Sequence, residues 1–216
     1  MKTALIIGAT GLVGSELTKK LLNDNRYDKV KVFVRRTTGI SNPKFEEHIV
    51  DFDNIETWKN ELTGDELYSA LGTTIKKAGS KKAQYKIDFH YQFAAAKSAS
   101  ENGVNKYLLI SSIGANSNSK NFYLNMKGNL DDAVQQFPFQ QIMLFRPSIL
   151  VGERNEKRIG ESLGIKIAGL ITNIIPAIKK YRPIKASKLA EAMITSANLN
   201  FADKFRIFES EEIFNL

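Results

Sequence analysis

The 216 residues give room for one domain with a small appendage and for a sizeable core. Hydrophobic residues at 43% and charged residues at 25% exclude intrinsic disorder, and zero cysteines exclude a disulfide framework or a zinc–thiolate site. A net charge of +8 admits a nucleic acid, an anionic membrane surface or a phosphorylated ligand and chooses among none of them.

The opening MKTALIIGATGLVG joins a lysine to a short apolar run, but glycine interrupts the run and an amphipathic segment follows, so it does not read as a signal peptide. With no cysteine, the expected location is the cytoplasm. Residues 3–7 read as a buried strand. Leu12, Val13, Leu17, Leu21 and Leu22 then recur at helical spacing until Asn23–Asn25. KVKVFVRR (29–36), EHIVDF (47–52) and DELYSALGTT (65–74) read as strands two to four.

Residues 85–102 form an alanine-rich helical pattern stopped by Gly103, and KYLLISS (106–112) follows as a fifth strand. A helix over about 121–136 ends before Pro138, and FQQIMLFRP (139–147) gives strand six. The remainder reads as an apolar helix around 161–178, a helix at about 186–198 and a closing strand FRIFE. Strands alternating with helices predict an α/β fold: a doubly wound parallel sheet of Rossmann type with a small C-terminal substrate-covering region. No repeat or linker marks a boundary, so 1–216 reads as a single domain whose residues from about 150 include that covering region.

Gly8-x-x-Gly11-x-x-Gly14 lies between the first strand and first helix, where such a turn cradles a dinucleotide. Glycine permits φ > 0 and close approach, so a pyrophosphate can rest on backbone N–H groups at the positive helix end, with Thr10, Leu12 and Val13 beside it. Arg35 and Arg36 stand at the end of the second strand, where an NAD-binding protein carries an acid for the ribose 2′-hydroxyl. Two guanidiniums there favour a 2′-phosphate, hence NADP(H) as cofactor. Tyr123 and Lys127, four apart on a predicted helix, share a face. An ammonium beside a phenol favours the phenolate, which suits proton transfer. Ser112 at the strand end could hold a substrate carbonyl, with Ser111 as the alternative.

SALGTT, SSIGA, YLNMKG and LFRPSILVG, in that order, resemble an atypical short-chain dehydrogenase/reductase, most of all the Tat-interacting protein subfamily. The resemblance implies Gly8, Gly11 and Gly14 for the cofactor turn, Tyr123 and Lys127 as the active pair, and a serine from Ser111–Ser112. It further implies Asp51 and Phe52 flanking the adenine, Leu71, Gly72 and Thr73 along the path to the nicotinamide ribose, and Arg146, Pro147 and Ser148 at the nicotinamide pocket. The implied activity is NADP(H)-dependent hydride transfer to or from a small carbonyl or alcohol, with a protein that binds NADPH and signals through a protein partner as the alternative.

His48 and His90 lack ligand neighbours, so no metal is expected. Neither serine sits in a G-x-S-x-G elbow, which argues against hydrolysis. Lys76, Lys77, Lys81, Lys82 and Lys86 form a basic run without the interleaved aromatics of a single-strand binder, so no specific nucleic acid is expected. The apolar stretch at 164–181 reads as the cover of a substrate pocket rather than a membrane helix, and Arg154 and Arg158 hint at an anionic substrate group.

Overall fold

The computed structural model describes residues 1–152 and 181–216, so the expected helix at 161–178 and both Arg154 and Arg158 lie outside the described residues. Strand β1 (Lys2–Ile7) alternates its buried side chains between two cores, with Ala4 and Ile6 in one and Leu5 and Ile7 in the other. That is why the run is apolar throughout rather than alternating with polar residues: both faces of the strand are covered. β2 (Tyr27–Val34), β3 (Phe45–Ile49), β4 (Glu66–Ser69), β5 (Lys106–Ile110), β6 (Gln141–Arg146) and β9 (Phe205–Glu209) complete a seven-stranded sheet. Its order is β3-β2-β1-β4-β5-β6-β9 and every pairing is parallel. A short second pair, β7 (Leu150–Val151) with β8 (Ile184–Lys185), lies apart from it.

On one face α1 (Leu12–Leu22) and the helix Ala186–Ala197 bring Val13, Leu17, Leu21, Leu189 and Met193 onto Ile6 and Val32. On the other, α4 (Gln92–Glu101) and α5 (Phe122–Val134) bury Ala95, Ala96, Ala99, Leu130 and Val134 against Leu5, Leu67 and Leu109. Each fully buried Leu or Phe adds about 1.5–3 kcal/mol, so these two layers rather than helix propensity hold the fold. The chain turns outward in opposite directions from β1, toward β2 on one side and β4 on the other, and a crevice opens at the carboxyl ends of these strands.

Two elements depart from the sequence reading in ways that shape the site. The fourth strand stops at Ser69, because the Ala70 N–H makes the last bond across to Ile7, and the chain then leaves through Gly72 to the Thr74-capped turn α2 (Ile75–Ala78). The helix expected from Tyr85 starts earlier, at α3 (Lys81–Tyr85), capped by the Ser80 hydroxyl. It passes through a π-helical turn, Lys86–Tyr91, into α4 and ends at Gly103 with φ 81°. The sequence reading also lacked the final helix Ser210–Asn215, closed by a Glu209–Glu212 capping box.

Candidate functional site

The glycine turn is built by two different constraints. Gly8 has φ 85°, and a Cβ there would stand 2.5 Å from the Ala70 carbonyl carbon; one on Gly14 would stand 2.0 Å from the Gly8 oxygen. The outer glycines are thus demanded by the contact of β1, β4 and α1 with one another. Gly11 is exposed and caps α1 with no side-chain hydrogen bond, and no acidic residue lies in the first turn. Its bareness leaves the first-turn N–H groups and the positive end of the helix open to the cleft, as a pyrophosphate requires.

Opposite this turn, the Asn121 side chain accepts hydrogen bonds from the Tyr123 and Leu124 N–H groups at 3.0 and 3.1 Å, which fixes where α5 begins. Tyr123 falls in the first turn, 38% exposed, and Lys127 one turn on, only 3% exposed, with its Nζ donating to the Ile110 carbonyl at 3.1 Å. The loop carrying Ser112 lies against this helix because Gly128 has no side chain: a Cβ would come within 2.2 Å of the Asn116 and Ser117 backbone. Ser111 is buried and donates to Asp131 Oδ2 at 2.9 Å, whereas the half-buried Ser112 hydroxyl makes only a long 3.4 Å bond to the Ile113 carbonyl. Ser112, Tyr123 and Lys127 line one cleft of about 760 Å³ together with Thr10, Gly11, Leu12 and Val13. Leu71, Gly72 and Thr73 form a further wall, and Pro147 and Ser148 border it from β6.

The other expected residues lie elsewhere. Arg35 and Arg36 are exposed just past β2, and neither pairs with a carboxylate among the described residues. Asp51 is exposed, its carbonyl accepting from Trp58 Nε1 at 3.0 Å. Phe52 is buried against Trp58 and Tyr91 and floors a second, aromatic groove of about 570 Å³ rimmed by Lys81 and Lys82. Arg146 turns away from the cleft and clasps Asp131 Oδ2 through Nε at 3.1 Å and Nη2 at 2.9 Å, reaching Glu209 at 3.4 Å. His48 bonds Glu46 at 2.8 Å and stacks on Phe33, and among the described residues no group of three His, Cys, Asp or Glu could hold a metal. No described helix is long and apolar enough to cross a membrane.

Sequence reasoning missed two buried acids. Asp88, in the π-helical turn, is 1% exposed and lines the cleft; burial pushes its carboxyl up, against the pull of Lys127, the Thr73 N–H and Gln84. Asp131 is equally buried and likewise held above the usual carboxylate range, with Ser111 and Arg146 opposing. Nothing local marked the first: Gln84, Asp88 and Gln92, every fourth residue, read as an ordinary polar helix face, and only the structure buries them.

Residues 8–142 match a family model described as NAD(P)H-binding. The Protein FMP52, mitochondrial, of Meyerozyma guilliermondii is 34% identical over 199 residues, covering 90% of this chain and 84% of its own length. Protein HTATIP2 of Rattus norvegicus is 31% identical over 172 residues, covering 78% of this chain and 71% of its own. Among solved structures, the Bordetella bronchiseptica enzyme WbmH in complex with NAD+ superposes with TM-score 0.72 at 16% identity, over 97% of this chain and 76% of that one, a likeness of fold. The expected cytoplasmic location does not stand against these comparisons, since fungal relatives that match at least 90% of the chain are named mitochondrial. A lack of cysteine suits any reducing compartment and could not have told one from another.

Proposed function

Because the chain belongs to the NAD(P)H-binding family and is an atypical short-chain dehydrogenase/reductase related to HTATIP2, we propose that it is an NADP(H)-dependent oxidoreductase acting on a small carbonyl or alcohol. The observation that carries this reading is the convergence of the open α1 N-terminus, Ser112, Tyr123 and Lys127 on one cleft. A nicotinamide cofactor bound in this cleft would supply the hydride in reduction and take it in oxidation. The first-turn amides of α1 bind the pyrophosphate, and the Leu71–Thr73 wall holds the adjoining ribose. Ser112 orients the substrate oxygen by donating a hydrogen bond from its hydroxyl, and the Tyr123 phenol gives that oxygen its proton in reduction or takes it in oxidation. Lys127, one helical turn on, lines the same cleft, where its ammonium would grip the nicotinamide ribose hydroxyls. Arg35 and Arg36, exposed past β2, receive the 2′-phosphate and so select NADP(H). The relatives' names support a mitochondrial setting.

The test is NADPH oxidation against small aldehydes, ketones and quinones. Tyr123→Phe should lower turnover by about 10²–10⁴-fold while NADPH affinity barely moves. Tight NADPH binding with no tyrosine-dependent oxidation would make the regulatory reading the better one.

A further inference from the structure

Within the continuous helix from Lys81 to Glu101, the π-helical turn Lys86–Tyr91 widens the backbone and turns Asp88 inward. π-Helical turns carry a local cost and are common at functional sites. Asp88 Oδ1 accepts the Thr73 N–H at 2.8 Å and Oδ2 a long 3.4 Å bond from Gln84. Gln92 bonds the Asp88 carbonyl at 2.7 Å and the Ser69 hydroxyl at 2.7 Å, tying the turn to the end of β4. The carboxylate also lies within electrostatic reach of Lys127. Lys127 has a second acid near it, Asp131 on the same helix, but that charge is already engaged by Arg146 of β6. Tyr123 and Lys77 are the remaining titratable groups on the cleft wall.

We propose that Asp88 is a positioning residue of this site: its carboxylate, buried in the π-helical turn, holds the Thr73 amide in the wall of the cleft that Lys127 also lines. The proposal rests on the reading of the cleft as a dinucleotide site. A buried carboxylate needs donors, and the Thr73 N–H at 2.8 Å is the shorter of the two hydrogen bonds this one accepts among the described residues.

Two substitutions separate the acceptor from the charge. Asp88→Asn keeps an acceptor for Thr73 and removes the charge; Asp88→Ala removes both. In the ligand-free chain, hydrogen exchange at the Thr73 amide should stay near the parent's in Asp88→Asn and quicken by about tenfold or more in Asp88→Ala. NADPH affinity at neutral pH, followed by nicotinamide fluorescence, should stay near the parent's in Asp88→Asn, which keeps the acceptor for Thr73. At neutral pH Asp88→Ala should bind NADPH about tenfold more weakly. Unchanged Thr73 exchange in Asp88→Ala overturns the proposal, and so does exchange that quickens as much in Asp88→Asn, since the acceptor would then not be what holds the amide. Should Asp88→Ala not fold, Asp88→Leu, similar in shape but without an acceptor, takes its place, and unchanged Thr73 exchange there overturns the proposal. A parent chain that binds no NADPH instead defeats the dinucleotide reading, and the exchange measurement on the ligand-free chain still decides the loop contact.

Discussion

Arg35 and Arg146 look alike in sequence, each a cation closing a strand, yet they meet different surroundings. Arg35 is exposed past β2, where the proposed function gives it the 2′-phosphate. Its loss removes a charge-assisted hydrogen bond of about 1.5–3 kcal/mol, so Arg35→Ala should weaken NADPH by roughly 10- to 150-fold and leave NADH nearly unchanged in a fluorescence titration. Arg146 instead neutralises Asp131, a carboxylate 1% exposed. Arg146→Met leaves that charge alone in the interior and should destabilise the fold by about 3 kcal/mol at neutral pH. Burial holds the Asp131 carboxyl above its ordinary range, so the folded chain binds more protons than the unfolded one there and loses stability as pH rises through it. The deficit of Arg146→Met should therefore shrink as pH falls through that range. Urea unfolding of both proteins from neutral to acid pH measures it, and a deficit that stays constant would contradict the assignment.

Among elements, the decisive contact is the loop after β5 on α5. Asn121 starts the helix and Gly128 admits the Asn116–Ser117 backbone against it, which brings Ser112 to the face that carries Tyr123. Gly128→Ala improves intrinsic helix propensity by about 1 kcal/mol. It also forces a Cβ to within 2.2 Å of that backbone, and such overpacking costs about 1–3 kcal/mol. The second effect should win: a lower thermal midpoint, and Ser112 displaced so that turnover falls more than NADPH affinity. A stabilised variant of unchanged activity would show that the loop yields freely.

At the scale of the whole molecule the sheet has two polar ends with different tasks. The carboxyl ends of the strands hold the cleft. At the other end Glu66, 1% exposed, accepts from Lys2 at 2.7 Å, Tyr27 at 2.6 Å and Tyr68 at 2.8 Å, while Asn198 donates to the Tyr27 hydroxyl at 2.8 Å. This cluster joins β1, β2 and β4 to the end of the helix Ala186–Ala197, and burial beside Glu66 drives both tyrosine hydroxyls well above their usual range. Glu66→Ala takes a shared acceptor from three donors, which as donors keep only the Asn198 contact of Lys2 and the bond between the two tyrosine hydroxyls, and should cost about 3 kcal/mol of stability in denaturant unfolding. NADPH affinity, measured on the folded variant, should not change, since the cluster lies at the opposite end of the strands.

The sequence by itself determined the alternation of strands and helices, the glycine turn and the Tyr123–Lys127 pair, because each follows from local periodicity: apolar runs buried on both faces, a three-residue glycine spacing, and a four-residue step on one helix face. It also carried the closing strand FRIFE, found at Phe205–Glu209. Only the tertiary structure decided which cation answers which acid. Nothing local distinguishes Arg146, drawn to Asp131 from across the β6–α5 layer, from an arginine facing a cleft. Nor does local pattern separate Ser111, consumed by the same acid, from Ser112 beside it. Asp88 reads as an ordinary polar position of a helix until the π-helical turn and the end of β4 enclose it, since burial of a charge is set by the elements that pack over it and not by its neighbours in the chain.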